Sequence, residues 1–188
     1  MVAAPVLAAC SSQQAPLDPF AVIPDACDVV SAQSIQDIVG GAHGENVGTT
    51  PGRADTCRWQ YRTDETPDPP AQGVAPYRQS LAVQLFLHEK PMGQDEVSGV
   101  KIAQDVFSTM RKGKSMVDKG TISGLGDEAY GAFDDRNGYI DFRAGNVTVE
   151  LRYEGNGVSA GGAAGLGRDA IQSALTKAAN DVAQHLRK

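Results

Sequence analysis

The sequence predicts an α+β fold in which helices packed on one face cover an antiparallel β-sheet. Two patterns predict it. Several short segments alternate apolar and polar residues, as half-buried strands do, and turn-type pairs such as Asn137-Gly138 and Gly145-Asn146 separate consecutive ones. Other segments repeat apolar residues every three or four positions, which is the period of amphipathic helices that pack on a sheet.

The elements are expected in the order helix, two strands, helix, three strands, helix. Ser31 is suited to cap the first helix, which the glycines at 40 and 41 end. The proline-rich segment 63–77 and the glycine-alanine segment 155–167 are expected to be loops. The strands are predicted at 57–62, 81–88, 129–133, 139–144 and 147–153, and the two later helices at 102–112 and 171–186.

Length and charge exclude several classes of protein. The 188 residues suit one domain of ordinary size with a short appendage. A net charge of −6 and a pI near 5.0 lack the basic footprint of a nucleic-acid-binding protein. The sequence has no run of about 18 apolar residues and so predicts no membrane-spanning helix.

The N-terminus carries the most specific motif. Leu7-Ala8-Ala9-Cys10 matches the bacterial lipobox, in which small residues precede a cysteine that receives a diacylglycerol. We therefore expect residues 1–9 to be a truncated lipoprotein signal segment, residues 10–25 a lipid-anchored flexible tether and residues 26–188 a single α+β domain. The alternative is a chance match in a cytosolic protein. No Lys or Arg precedes Cys10, which leaves the true start of the signal peptide open.

The three cysteines divide into one plus two. With Cys10 assigned to the lipid, Cys27 and Cys57 remain as a candidate disulfide, which fits an oxidising compartment. Two buried free thiols are the alternative. No Cys-x-x-Cys pair occurs and the three histidines are scattered, so neither a metal site nor a cofactor is expected.

Four motifs occur in order along the chain: Cys27-Asp28-Val29-Val30-Ser31, Cys57-Arg58-Trp59, Gly124-Leu125-Gly126-Asp127-Glu128-Ala129 and Asn146-Val147-Thr148-Val149. Together they resemble a family of actinobacterial secreted lipoproteins that carry a domain of unknown function. The resemblance covers residues 26–187, with valines at 29 and 30 where the family usually has leucines. It implies a lipid-anchored envelope protein with a structural disulfide and no catalytic residues. More distantly, the chain is similar to sensor ectodomains of actinobacterial membrane kinases.

The sequence contains one weak catalytic motif. Gly157-Val158-Ser159-Ala160-Gly161 matches the G-x-S-x-G pattern, but a nucleophilic serine of that kind needs a parallel sheet and a helix directly after it. Asp169 or Asp181 with His185 would complete a triad only from the same covering helix. We therefore expect that the protein is not an enzyme.

Two charged clusters have both a functional and a simpler interpretation. The acidic cluster, in the loop 127–135, suits a weak site for a cation or basic partner, or consists of ordinary solvated residues. The basic cluster would contact anionic lipid headgroups at about 1 kcal/mol per charge, or is a polar helix end. The acidic cluster consists of Asp127, Glu128, Asp134 and Asp135. The basic cluster consists of Arg111, Lys112, Lys114 and Lys119.

These observations predict a non-catalytic binding, interaction or sensor-like module on the outer face of the cytoplasmic membrane. Its partners would be the membrane, through the lipid on Cys10, and an envelope protein or small hydrophobic ligand, but no nucleic acid. The sheet or the loops 63–77 and 155–167 would form the contact. The alternatives are a carrier of a lipid or other hydrophobic ligand, and an envelope serine hydrolase that uses Ser159.

Overall fold

The computed structural model of the chain describes residues 18–93, 97–113 and 120–187. Within these residues, eight strands form one antiparallel sheet and three helices pack against it, which confirms the predicted α+β fold. In chain order the elements are α1 (Ala32–Val39), β1 (Gly44–Thr50), β2 (Ala54–Arg62), β3 (Ala75–Leu87), α2 (Gly99–Gly113), β4 (Gly120–Thr121), β5 (Glu128–Phe133), β6 (Asn137–Ala144), β7 (Val147–Ser159), β8 (Gly162–Gly165) and α3 (Arg168–His185).

The sheet is built around its two longest strands. The strand order is β1-β2-β3-β7-β6-β5-β4, and β8 pairs with the far end of β7. Strands β3 and β7 have 13 residues each and pair from Leu87 opposite Val147 to Ala75 opposite Val158. The chain enters the centre of the sheet at β3, leaves to form α2 and β4–β6, and returns at β7.

The first face of the sheet carries the main core. Alternate residues of β3, such as Leu81 and Val83, are fully buried there under α1 and α3. Helix α1 begins where predicted, because the Ser31 hydroxyl accepts a hydrogen bond from the amide of Ser34, and it ends at Gly40 in the left-handed conformation (φ 61°). Along α3, the buried side chains Ile171, Leu175, Ala178 and Val182 form the stripe that faces the sheet.

Helix α2 packs against the opposite face. Its Phe107 lies 5.0 Å from the ring of Tyr130 on β5, which in turn packs on Tyr139 of β6. Tyr139 pairs with Arg152, whereas the core residue Ile140 pairs with Leu151, so the two residues of β6 point to opposite faces. The predicted helical cover thus holds for α1 and α3, while α2 gives the sheet a second, smaller core. Strands β5 and β6 show why the sheet is covered on both faces: their consecutive residues are buried without alternation, so both of their faces carry residues that pack away from solvent.

The sheet extends beyond the predicted strands. Strand β1 is exposed along its whole length and therefore has no apolar alternation to reveal it. Strand β7 continues through the segment expected to be a glycine-alanine loop and forms a hairpin with β8. Glycine serves close packing here: a Cβ on Gly157 would lie 2.3 Å from Val74 Cγ1, and one on Gly155 would lie 2.6 Å from Leu166 Cδ1.

Among the described residues, no helix combines the length and the apolar character needed to cross a membrane.

Candidate functional site

The disulfide joins the segment before α1 to the middle of β2. Cys27 is bonded to Cys57 with their Cα atoms 5.0 Å apart, which confirms the predicted pair. Cys57 is fully buried, and Trp59 follows it on the same face. Strand β1 lies beside the bond and packs closely on it, because a Cβ on Gly44 would lie 2.7 Å from both Cys57 Sγ and Trp59 Nε1. The disulfide is therefore part of the core.

Asp55 binds three segments together beside the disulfide. Its carboxylate accepts hydrogen bonds from the buried amide of Ala26 and from the side chains of Asn46 and Thr49, each at 2.7 Å. Burial alone would raise the pKa of Asp55, but these bonds and one from the amide of Thr56 together lower it below its usual value. The folded chain therefore stabilises the charged form of Asp55.

The first described residues are fixed to the fold. Asp18 accepts hydrogen bonds from the amides of Gly99 (2.9 Å) and Val100 (3.0 Å), so it caps the start of α2. The side chain of buried Asn146 bonds the amide and the carbonyl of Phe20 at 3.0 and 2.9 Å. Residues 18–25, expected to belong to the tether, therefore make specific contacts. The sequence carries no local signal for them, since the partners are 81 and 126 positions apart.

The predicted lipid acceptor Cys10 lies outside the described residues, as do Lys114 and Lys119 of the basic cluster. Arg111, by contrast, is described, and its guanidinium lies 5.6 Å from the centroid of the Tyr130 ring. Lys112 is exposed at the end of α2. The basic cluster is thus only partly within the described fold.

Three exposed arginines lie on the face of the sheet against which α2 packs, beyond the part that α2 covers. Arg58 and Arg62 alternate with buried Trp59 along β2, and Arg62 lies directly opposite Arg78 of β3. We call Arg58, Arg62 and Arg78 the arginine surface. All three are exposed, and within the described residues none of them forms an ion pair or a side-chain hydrogen bond. Glu45 of β1 lies opposite Arg58, whereas Arg62 and Arg78 face each other. Like charges placed directly opposite on neighbouring strands destabilise a sheet, so the pair of Arg62 and Arg78 does not serve the stability of the fold.

A buried polar cluster lies beside the arginine surface, under α2. Asp141 of β6 is fully buried, and Arg152 of β7 lies 3.8 Å from it, donates to Glu150 at 2.6 Å and covers the ring of Tyr139 at 5.0 Å. Burial and then the charge of Asp141 raise the pKa of both Tyr130 and Tyr139, which keeps these phenols neutral near pH 7. Arg152, unlike the three residues of the arginine surface, forms ion pairs within the fold.

Ser159 occupies a tight turn between two strands. Its hydroxyl donates to the carbonyl of Gly162 and accepts from the amide of Gly161, both at 3.2 Å, at the hairpin between β7 and β8. A nucleophile elbow instead runs from a parallel strand straight into a helix. Asp181 has partners of its own, since its carboxylate accepts from the amide and hydroxyl of Ser31. The structure gives these two candidate triad members separate roles in turns and caps.

Three of the four acidic residues in the loop 127–135 have partners within the fold. Asp127 and Glu128 bind the buried guanidinium of Arg143 at 2.8 and 2.7 Å. Asp134 accepts hydrogen bonds from two amides of its own turn. In the described segments, no group of three or more His, Cys, Asp or Glu side chains could hold a metal ion.

The grooves on the described surface are open to solvent. One of about 570 Å³ lies beside the disulfide and is lined by Val30, Ile35, His43 and Trp59. The space between α3 and the sheet is instead filled, because the inward side chains of α3, among them Ile171 and Leu175, are fully buried. These α3 side chains therefore leave no space for a ligand between themselves and the sheet.

Sequence reasoning found the disulfide and missed the arginine surface. Arg58 and Arg62 are recognisable as outward residues of a strand, but their proximity to Arg78 depends on the register between β2 and β3. Comparisons of the chain with known protein families, with curated proteins and with solved structures find no match.

Proposed function

We propose that this chain is a non-catalytic binding module of the cell envelope, held on the outer face of the cytoplasmic membrane by a lipid on Cys10. The lipobox at residues 7–10 supports the anchor. The disulfide between Cys27 and Cys57 supports export, because such bonds persist in oxidising compartments and are rare in the cytosol.

The arginine surface is the proposed contact with the partner. The observation that carries this proposal is the directly opposed pair of Arg62 and Arg78, both exposed and neither of them in an ion pair among the described residues. Guanidinium groups bind carboxylates and phosphates through paired hydrogen bonds. The partner is therefore an anionic molecule with closely spaced acidic groups, bound despite the net charge of −6 on the chain.

The two alternatives have less support. An envelope serine hydrolase would need Ser159, whose hydroxyl closes a hairpin turn. A carrier of a hydrophobic ligand would need an enclosed cavity, and the groove beside Trp59 is open. A binding role for the sheet surface agrees better with the geometry.

Replacing Arg58, Arg62 and Arg78 by glutamine together is expected to abolish binding of an anionic probe. With about 1 kcal/mol lost per hydrogen-bonded arginine, the affinity should fall by roughly a hundredfold. Poly-L-glutamate and inorganic polyphosphate, titrated by calorimetry, would separate a carboxylate partner from a phosphate partner. The matched control replaces the exposed Arg53, Arg136 and Arg168, which changes the net charge equally. Equal affinity in the two triple variants would contradict the proposal.

Cys10→Ala is expected to move the protein from the membrane fraction to the soluble envelope fraction, because the lipid on Cys10 is the proposed anchor and no helix among the described residues could cross the bilayer. Fractionation followed by immunoblotting measures this, and intact mass of the unsubstituted protein should show the added lipid. Ser11→Ala serves as the control and should stay with the membrane. Retention of the Cys10→Ala variant on the membrane would reject the anchor.

A further inference from the structure

One end of the sheet gathers several chain segments. The start of β2 pairs with the end of β3 (Ala54 opposite Phe86), and the end of β6 pairs with the start of β7 (Ala144 opposite Val147). The turns 50–54 and 145–146 and the chain after His88 therefore lie at this end, which we call the anchor end.

The chain arrives from Cys10 at the anchor end. Phe20 is bonded to Asn146 in the β6–β7 turn, and Pro19 packs so closely on Gly145 that a Cβ there would lie 2.2 Å from its Cγ. Asp18 caps α2 through the amide of Gly99. A lipid on Cys10 would therefore be connected to the fold at this end.

The length of the tether restricts how the domain can stand on the membrane. The eight residue steps from Cys10 to Asp18 span at most about 29 Å when fully extended. Strand β7, with 13 residues, runs for about 40 Å from Val147 at the anchor end to Ser159 at the other. If the Ser159 end touched the bilayer, Asp18 would stand farther from it than the tether reaches. The length of the tether therefore excludes an orientation with the Ser159 end on the membrane and favours one in which the anchor end faces it.

The anchor end also exposes apolar side chains. Three large hydrophobic residues are exposed among the described residues, and two of them, Met92 (fully) and Val22 (67%), belong to segments at this end. The chain leaves the sheet at His88 and returns at Gly99, where a Cβ would lie 2.1 Å from the His88 carbonyl oxygen. Met92, four residues after His88, therefore belongs to the chain that leaves the sheet at the anchor end, and Val22 lies between Phe20 and the segment bonded to Asp55.

We propose that the anchor end rests on the lipid bilayer, with Met92 and Val22 inserted at its interface, an orientation that rests on the proposed lipid anchor at Cys10. Each side chain alone buries little apolar area, but the tether keeps the domain at a high effective concentration beside the membrane. The partner is the apolar interface and not anionic headgroups, since Arg53 at this end is paired with Glu89 at 2.7 Å.

This orientation presents the arginine surface away from the bilayer. Arg78 pairs with Asn156, nine positions along β7 from Val147, so it stands about 30 Å beyond the anchor end. The surface is then accessible to molecules of the envelope space.

Tryptophan fluorescence tests the orientation. The lipidated full chain carrying Met92→Trp, and a matched chain carrying Ala160→Trp at the opposite hairpin, are placed on vesicles of zwitterionic phosphatidylcholine with brominated acyl chains. Both sites are exposed, and the single native Trp59 is buried, so the unsubstituted chain supplies the background. Contact with the bromine atoms should quench the fluorescence of the Met92→Trp chain and leave that of the Ala160→Trp chain unchanged.

Each outcome bears on a different statement. Quenching in the Ala160→Trp chain, or in neither chain while intact mass shows the lipid on Cys10, would overturn the orientation and leave the proposed anchor standing. A mass without lipid would overturn both. Quenching in the Met92→Trp chain alone supports the orientation.

Discussion

The double variant Cys27→Ala, Cys57→Ala is expected to unfold with a free energy lowered by about 3.5 kcal/mol, because the disulfide closes a loop of 30 positions in the unfolded chain. For a protein of this size that loss corresponds to a melting temperature lower by about 10 °C. Alanine is preferred to serine because a hydroxyl at position 57 would be buried. Differential scanning calorimetry without reductant measures the change.

Reduction of the unsubstituted protein should give the same decrease, and the Cys10→Ala variant, which keeps the disulfide, should show none. The reduced protein is also expected to lose the contact of residues 20–26 with β1 and β2 first, since the bond holds that segment on the sheet. An unchanged melting temperature in the double variant would show that the bond contributes nothing to stability.

Asp55→Ala is expected to cost about 3 kcal/mol of unfolding free energy. The variant leaves the amide of Ala26, which is fully buried, without an acceptor, and it removes charge-assisted bonds to Asn46 and Thr49. Urea denaturation at pH 7 measures the loss. Asp55→Asn is the matched variant, since it keeps the shape and removes the charge. A loss below about 0.5 kcal/mol in the alanine variant, typical of surface positions, would contradict this role.

The same carboxylate gives the stability a predictable dependence on pH. Because the pKa of Asp55 is lower in the folded chain than in the unfolded one, its contribution is complete above the unfolded value near 4 and is lost as the pH falls through the folded value. The unsubstituted protein should therefore lose stability below about pH 4, and Asp55→Asn should lose less over the same range. Asp181, whose pKa is also lowered, accounts for part of the dependence that remains.

Elements whose signals are local could be predicted from the sequence. Helix α1 has a capping serine and a terminating glycine within nine positions, and the alternation around Trp59 shows which side chains of β2 face the core. Strand β1 could not be predicted in this way, since all of its residues are exposed and it is held by backbone and side-chain hydrogen bonds to β2. Glycines in β7 and β8 have the composition of a loop but serve close packing.

The candidate site depends on contacts between residues distant in the chain. In the sequence, Asp18 and Asn146 have no feature that distinguishes them from other polar residues. Their partners are distant in the chain: Asp18 binds the amide of Gly99, and Asn146 binds the amide of Phe20. The arginine surface likewise needs the register of β2 against β3. Neither propensity nor hydrophobic period carries that information, because both are properties of single segments.

The attachment of residues 18–20 also decides how the protein bears mechanical load. A force applied through the proposed lipid anchor would enter the fold at Asp18 and the β6–β7 turn, near the centre of the sheet, and would not peel an edge strand. If those contacts yield, only the residues before Cys27 can unravel, an extension of about 30 Å. Beyond that point the disulfide passes the load directly into β2, so residues 28–56 are protected from extension.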